Sequence, residues 1–164
     1  MQRDIRFNVR HASDLPGKVY WDEDRINEVL GNLLSNAFKF TPRGGQVDLE
    51  VGRRDSIVSI VVRDTGVGIA AEQIPHVFDK FFQADNQAKA AAKGSGLGLA
   101  IAREIVEAHG GKISVESKVN QGTAFTVTLP EQIAGIRRRD DVRRQTPTRG
   151  VPAPMEAASR TEGR

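Results

Sequence analysis

Four polar side chains on one strip of a helical segment define the chemistry this sequence can offer. Between Asp22 and Phe40, apolar residues recur at Ile26, Val29, Leu30, Leu33, Leu34, Ala37 and Phe40, the spacing of one helix face. Glu28, Asn32, Asn36 and Lys39 fall together on a narrow strip beside that face. Asparagine is a poor helix former because its amide competes for backbone hydrogen bonds, so two on one interior strip call for a reason. Either the strip is a solvated flank, or it is a row of carboxamide oxygens and an ammonium at the rim of a cleft. Such a row suits a hard cation and a polyphosphate.

Two glycine-bearing segments offer matching chemistry. Asp64-Thr65-Gly66-Val67-Gly68-Ile69 follows the apolar run Ile57–Val62. A carboxylate leaving a buried strand, followed by alternating glycines, gives an acceptor at a cleft edge and a backbone that a ligand can approach closely. A plain strand-ending turn would use the same residues. Gly94-Ser95-Gly96-Leu97-Gly98-Leu99 opens a second helical pattern. A dinucleotide fingerprint needs glycine where Leu99 stands and a strand before the loop, and no Walker-type Gly-Lys-Ser/Thr is present. What remains is a glycine loop feeding a helix N-terminus, which attracts anions through free N–H groups and the helix dipole.

The elements that must hold these residues can be read from periodicity. Ile5, Phe7 and Val9 alternate like a half-buried strand, and Lys18–Trp21 is a short second candidate. Asp22 or Asp24 can cap the first helix, which Thr41–Pro42 and Gly44–Gly45 stop near Phe40. Val47, Leu49 and Val51 alternate again, and the denser run Ile57–Val62 predicts a more central strand. A short helix is expected over Ala71–Val77 and a long one over Leu97–His109, closed by Gly110–Gly111. Two last strands, Lys112–Glu116 and Thr123–Leu129, are joined by the turn residues 120–122. The sum is a two-layer α/β sandwich: a mixed, mostly antiparallel sheet with helices on one face.

Taken in order, Asn-Leu-Leu-x-Asn-Ala-x-Lys-Phe-Thr-Pro, Asp-x-Gly-x-Gly, Phe-x-x-Phe and Gly-x-Gly-Leu-Gly-Leu resemble the ATP-binding catalytic domain of sensor histidine kinases. Those domains belong to the GHKL superfamily and have the Bergerat fold. The resemblance spans Ile5–Pro130 and implies ATP and Mg²⁺ as cofactors. It implies Asn36 as the metal ligand, with Asn32 one turn earlier positioning metal and phosphates, Lys39 reaching a phosphate and Phe40 lining the pocket. Asp64 would accept the adenine amine, with Gly66 and Gly68 allowing close approach and Ile69 beside them. Gly94, Gly96 and Gly98 would cradle the triphosphate under a lid at 83–95, with Phe81, Lys93, Ser95, Leu97 and Leu99 completing the cofactor-binding set. Thr123, after Gly122, would hold the adenine end. Asn32, Asn36 and Lys39 are the implied catalytic residues.

Asn32 also bears on the reaction. The ATP-hydrolysing members of the superfamily resemble this pattern but carry glutamate there as the base for water. A carboxamide has no basic lone pair, so Asn32 suits transfer to a protein side chain. The expected activity is transfer of the γ-phosphoryl group to a histidine on a separate dimerisation domain, with a response regulator downstream. The alternatives are an anti-sigma-type serine kinase of the same superfamily and a non-catalytic nucleotide-sensing module. Many family members have arginine where Lys80 and Gln83 stand, which removes a charged clamp that Lys89 or Lys93 could replace. Aromatic residues spaced like Phe78, Phe81 and Phe82 are usually core, and the alternative is that they anchor the lid. His109 is expected to complement a helix C-terminus, and His76 to be a surface residue. His11 has a proline five residues on, as in the family's acceptor box, but it lacks the acidic neighbour and the long helix. The acceptor domain is therefore expected elsewhere.

Composition agrees. The chain has 164 residues, 38% hydrophobic, and no cysteine, which rules out disulfides and cysteine-ligated zinc and fits a reducing compartment. Residues 1–130 carry 16 basic and 16 acidic side chains, so the whole net +3 lies in 131–164, where 8 basic face 5 acidic. A nucleic-acid-binding fold carries its basic excess on the folded part, so no nucleic-acid partner is expected. Neither a signal peptide nor an apolar run of the ~20 residues a membrane helix needs is present. No membrane contact is expected, and the location is cytoplasmic, as a free protein or as the inner part of a membrane-bound sensor. Residues 131–164, rich in arginine and proline, are expected to be a disordered and dispensable tail.

Overall fold

The computed structural model describes residues 4–83 and 95–132. Five strands, β1 (Arg6–His11), β2 (Gln46–Arg54), β3 (Ile57–Asp64), β4 (Lys112–Lys118) and β5 (Gly122–Pro130), form one sheet in the order β1-β2-β3-β5-β4. β1 runs parallel to β2 and the other neighbours are antiparallel. Helices α1 (Glu23–Phe40) and α2 (Gly98–Ala108) pack on one face, giving the expected two-layer sandwich. The dense apolar run does form the middle strand, β3.

Local chemistry sets the ends of α1. The Asp22 side chain accepts the Arg25 N–H at 3.1 Å, Glu23 and Asp24 fill the first turn, and Lys39 stands in the last. Charges of these signs complement the helix dipole. Thr41 ends the helix by returning both its amide and its hydroxyl to the Ala37 carbonyl, at 3.0 and 2.6 Å. Val29 and Leu33 of α1, Ala102 and Val106 of α2, and Val62, Val127 and Leu129 of the sheet form the buried core. Truncating Leu33 to alanine there would cost about 2–5 kcal/mol.

Four expectations need correction. β1 is an edge strand, with Phe7 44% and Val9 58% exposed; only β2 flanks it, and the Phe38 ring covers Phe7 from 5.4 Å. Lys18–Trp21 forms no strand, because the sheet strand it meets has already ended at Pro130. Tyr20 makes a single bridge to Gln132, and the Trp21 indole donates to the Pro130 carbonyl at 2.6 Å. The short helix is a 3-10 helix, Ala71–His76, with Pro75 inside it. Finally, the last described contacts pass Pro130: Tyr20 N–H donates to the Glu131 carbonyl at 2.8 Å and Glu131 N–H to Ser56 at 3.0 Å. Residues 133–164 lie outside the described residues, as do 84–94 and with them most of the expected lid.

Candidate nucleotide site

The two helices bring the asparagine strip to the glycine loop. Asn32, Asn36, Lys39 and Phe40 are half-buried along α1. A Cβ placed on Gly98, the first residue of α2, would lie 2.8 Å from Asn32 Oδ1. Asn32 therefore faces the N-terminus of α2. Leu97 caps that helix without a side-chain hydrogen bond, although its own amide donates to Ser95 Oγ at 3.3 Å. The Lys39 ammonium sits 5.1 Å above the Phe40 ring.

The second wall is the segment after β3. Asp64 is 6% exposed and accepts the Gly66 N–H at 2.7 Å. Burial pushes its carboxyl up from the ordinary value, against the opposing pull of the Gly66 and Thr123 amides. The Phe40 carbonyl accepts the Val67 N–H at 3.4 Å, so this segment rests on the end of α1. Gly68, at φ 69°, passes so close to the Lys118 carbonyl that no side chain fits; Gly122, at φ 97°, passes Asp64 in the same way. Asn120 N–H closes the junction by donating to the Val67 carbonyl at 2.8 Å. Thr123 is 7% exposed and pairs in register with Asp64. Ile69 donates its amide to Ser117 Oγ at 2.8 Å.

Not every expected residue converges. Phe78 is core, its ring 6.2 Å from Phe125, and Phe82 leans on His76 at 6.1 Å. Phe81 is not core: it is 72% exposed at φ 66°, with its N–H donating to the Gly96 carbonyl at 2.9 Å. Lys80 turns to α2, where it pairs with Glu104 at 2.9 Å. Ser95, Gly96, Leu97 and Leu99 line the start of α2, whereas Lys89, Lys93 and Gly94 lie outside the described residues.

His76 is exposed and meets Asp79 at 2.9 Å. His109 does meet the C-terminus of α2, as its C-cap residue. It is 5% exposed; its Nδ1 donates to the Ile105 carbonyl at 2.8 Å, and its Nε2 accepts the Asp22 N–H at 3.2 Å.

Sequence reasoning does not reach Ser117. A serine near the end of an alternating strand looks like any solvent-facing side chain, and only the register shows it beside Thr123.

This geometry can hold an anion at the helix terminus and a planar, amine-bearing group against Asp64. Among the described residues no cluster of three His, Cys, Asp or Glu side chains could hold a metal alone. A magnesium ion needs no such cage, since one carboxamide oxygen, phosphate oxygens and water suffice. No described helix is long and apolar enough to cross a membrane.

Known proteins place the chain. Residues 21–133 match the family described as histidine kinase-, DNA gyrase B-, and HSP90-like ATPase. Sensor histidine kinase WalK of Bacillus subtilis (strain 168) is 41% identical over 124 residues, 74% of this chain and 20% of that protein. The chain thus spans about a fifth of that relative's length. Mycobacterial sensor histidine kinase MprB superposes with a TM-score of 0.68 at 33% identity, covering 77% of this chain and 84% of that structure. Full-length ShkA in complex with AMPPNP gives 0.68 at 34% identity, covering 78% and 26%. The chain belongs to the histidine kinase-, DNA gyrase B- and HSP90-like ATPase family, among the catalytic domains of sensor histidine kinases.

Proposed function

We propose that this domain binds Mg·ATP between α1 and the Asp64–Ile69 segment and transfers the γ-phosphoryl group to a histidine on a dimerisation domain, of the same or another chain. The single observation that carries this reading is Asn32 lying against Gly98 at the phosphate-side helix terminus. The group best placed to touch an attacking water is a carboxamide, which cannot take its proton. The carboxylate one turn earlier, Glu28, is exposed and paired with Arg25 at 3.1 Å. This arrangement offers water no base, which supports a nucleophile supplied by a partner protein.

The residues present suit that task. Asn36 would offer one carboxamide oxygen to Mg²⁺, and Asn32 would orient metal and phosphates. The ion supplies charge neutralisation on the phosphates when bound. Lys39, leaving the face of Phe40, would meet a phosphate oxygen, and the bare N-terminus of α2 with Gly96 and Gly98 would hold another. Asp64 and Thr123 would fix the base. Catalysis is then positioning and electrostatics. The phosphorylated histidine would pass its group to a response regulator. Dependence on ATP supports a cytoplasmic location, and the balanced charge of 1–130 supports the absence of a nucleic-acid partner.

The test is incubation of the chain with labelled Mg·ATP and isolated dimerisation domains. Acid-labile phosphate on the acceptor is the expected result. Acid-stable phosphate would make it a serine kinase, and nucleotide binding without transfer a sensing module.

A further inference from the structure

The helix-covered face of the sheet ends in a polar row where its other rows are apolar. In register across β3, β5 and β4 stand Ile60, Val127 and Ile113, then Val62, Phe125 and Val115, and then Asp64, Thr123 and Ser117. The core is thus cut off by three side chains that carry hydrogen-bonding oxygens. Two of them belong to the candidate base pocket; the third, Ser117, has no role in it so far.

Ser117 Oγ lies 2.8 Å from the Ile69 amide nitrogen, 2.9 Å from the Gly122 carbonyl oxygen and 2.8 Å from Thr123 Oγ1. A serine hydroxyl has one hydrogen and two lone pairs. The Ile69 N–H can only donate and the Gly122 carbonyl can only accept. Ser117 therefore gives its hydrogen to Gly122 and one lone pair to Ile69. Its second lone pair is what remains for Thr123, so Thr123 is the donor in that pair. The Thr123 hydrogen is then committed, and its oxygen offers lone pairs alone. Asp64 is in the same condition, with one carboxylate oxygen already taking the Gly66 N–H.

We propose that Ser117 is a positioning residue for base recognition: it holds Thr123 as an acceptor, so that Thr123 and Asp64 together select a ring edge carrying an amine. The proposal rests on the nucleotide reading above. Two acceptors side by side are satisfied by the N–H hydrogens of an exocyclic amine or of a water it shares. They are left facing another lone pair by a ring that lacks the amine. By holding Ile69 as well, Ser117 ties the Asp64–Ile69 segment to the β4–β5 hairpin and keeps the two acceptors at a fixed separation.

The test is calorimetric titration of the full chain with ATP and with purine riboside triphosphate, which differs only in lacking the amine. Wild type should prefer ATP. Ser117→Ala and Ser117→Val should lose about three- to tenfold in ATP affinity, and less than about twofold for the amine-free ligand. Ser117→Thr, which restores the hydroxyl in the shape of valine, should stay within about twofold of wild type for ATP. A structural role alone would weaken both ligands together. Equal losses for both, or Ser117→Ala binding ATP like wild type, would overturn the assignment. If wild type bound neither ligand, the nucleotide reading beneath it would fall first, and the proposal with it.

Discussion

Asn32 and Gly98 meet across the two helices so closely that a Cβ at 98 would lie 2.8 Å from the carboxamide oxygen. That oxygen is the free end of a flexible side chain, so it can swing away without disturbing the fold. Gly98→Ala should therefore keep or raise thermal stability, since alanine is the better helix former by about 1 kcal/mol. Mg·ATP affinity should fall about tenfold as Asn32 leaves its place. Melting curves read beside calorimetry check both halves.

Asp64→Asn should separate stability from binding. Burial raises the folded carboxyl above its unfolded value, so the native state holds its proton more readily than the unfolded chain. Stability from this group is greatest at or below the unfolded value, about pH 4, and is lost as pH rises through the raised one. Asparagine removes the buried charge while its oxygen can still accept the Gly66 N–H. The variant should melt at or above the wild-type temperature at neutral pH, with the difference vanishing in acid. ATP affinity should drop at least about tenfold, because an amide hydrogen would face the adenine amine.

Asp48 carries the opposite sign. On the open face of the sheet it accepts Asn8 at 2.8 Å and Gln46 at 2.8 and 3.0 Å, with Arg10 at 3.4 Å. The Asn8 bond leads, and Gln46, Arg10 and Arg63 add to it in holding this carboxyl below the ordinary value against its burial. Its contribution is present above about pH 4 and lost as pH falls through the lowered folded value. Asp48→Asn should destabilise the domain at neutral pH, and denaturant titrations should show the difference shrinking in acid.

The C-terminal boundary can be located by truncation. Ending the chain after Gln132 should leave melting temperature and ATP affinity unchanged. Ending it after Pro130 removes the Tyr20–Glu131 and Glu131–Ser56 backbone bonds and the Arg53–Glu131 ion pair, and should lower the melting temperature by several degrees. Equal curves for both truncations would place the boundary at Pro130 after all.

Helical and strand periodicity made the fold legible, because α1 and β3 bury one strong face each and their caps and breakers are local. Asn32, Asn36 and Asp64 stand out as candidates because each is a residue type at odds with its position. What stayed hidden depends on register between distant strands. Ser117 looks like any exposed strand serine until β4 pairs with β5, and the contact of His109 with Asp22 joins residues remote in sequence. Burial of Phe81 does not follow from its hydrophobicity, because a positive φ beside Gly96 turns the ring to solvent. Lys80 could not be assigned because its partner, Glu104, is remote in sequence.

The most direct test of the account is calorimetric titration of the chain with ATP, with and without Mg²⁺, in wild type and Asn36→Ala. Wild type should bind one ATP per chain, more tightly with Mg²⁺ than without. Asn36→Ala should fold normally, bind metal-free ATP as wild type does, and lose most of the gain that Mg²⁺ confers. Absence of ATP binding by the folded wild type, or an unchanged Mg²⁺ gain in Asn36→Ala, would contradict it.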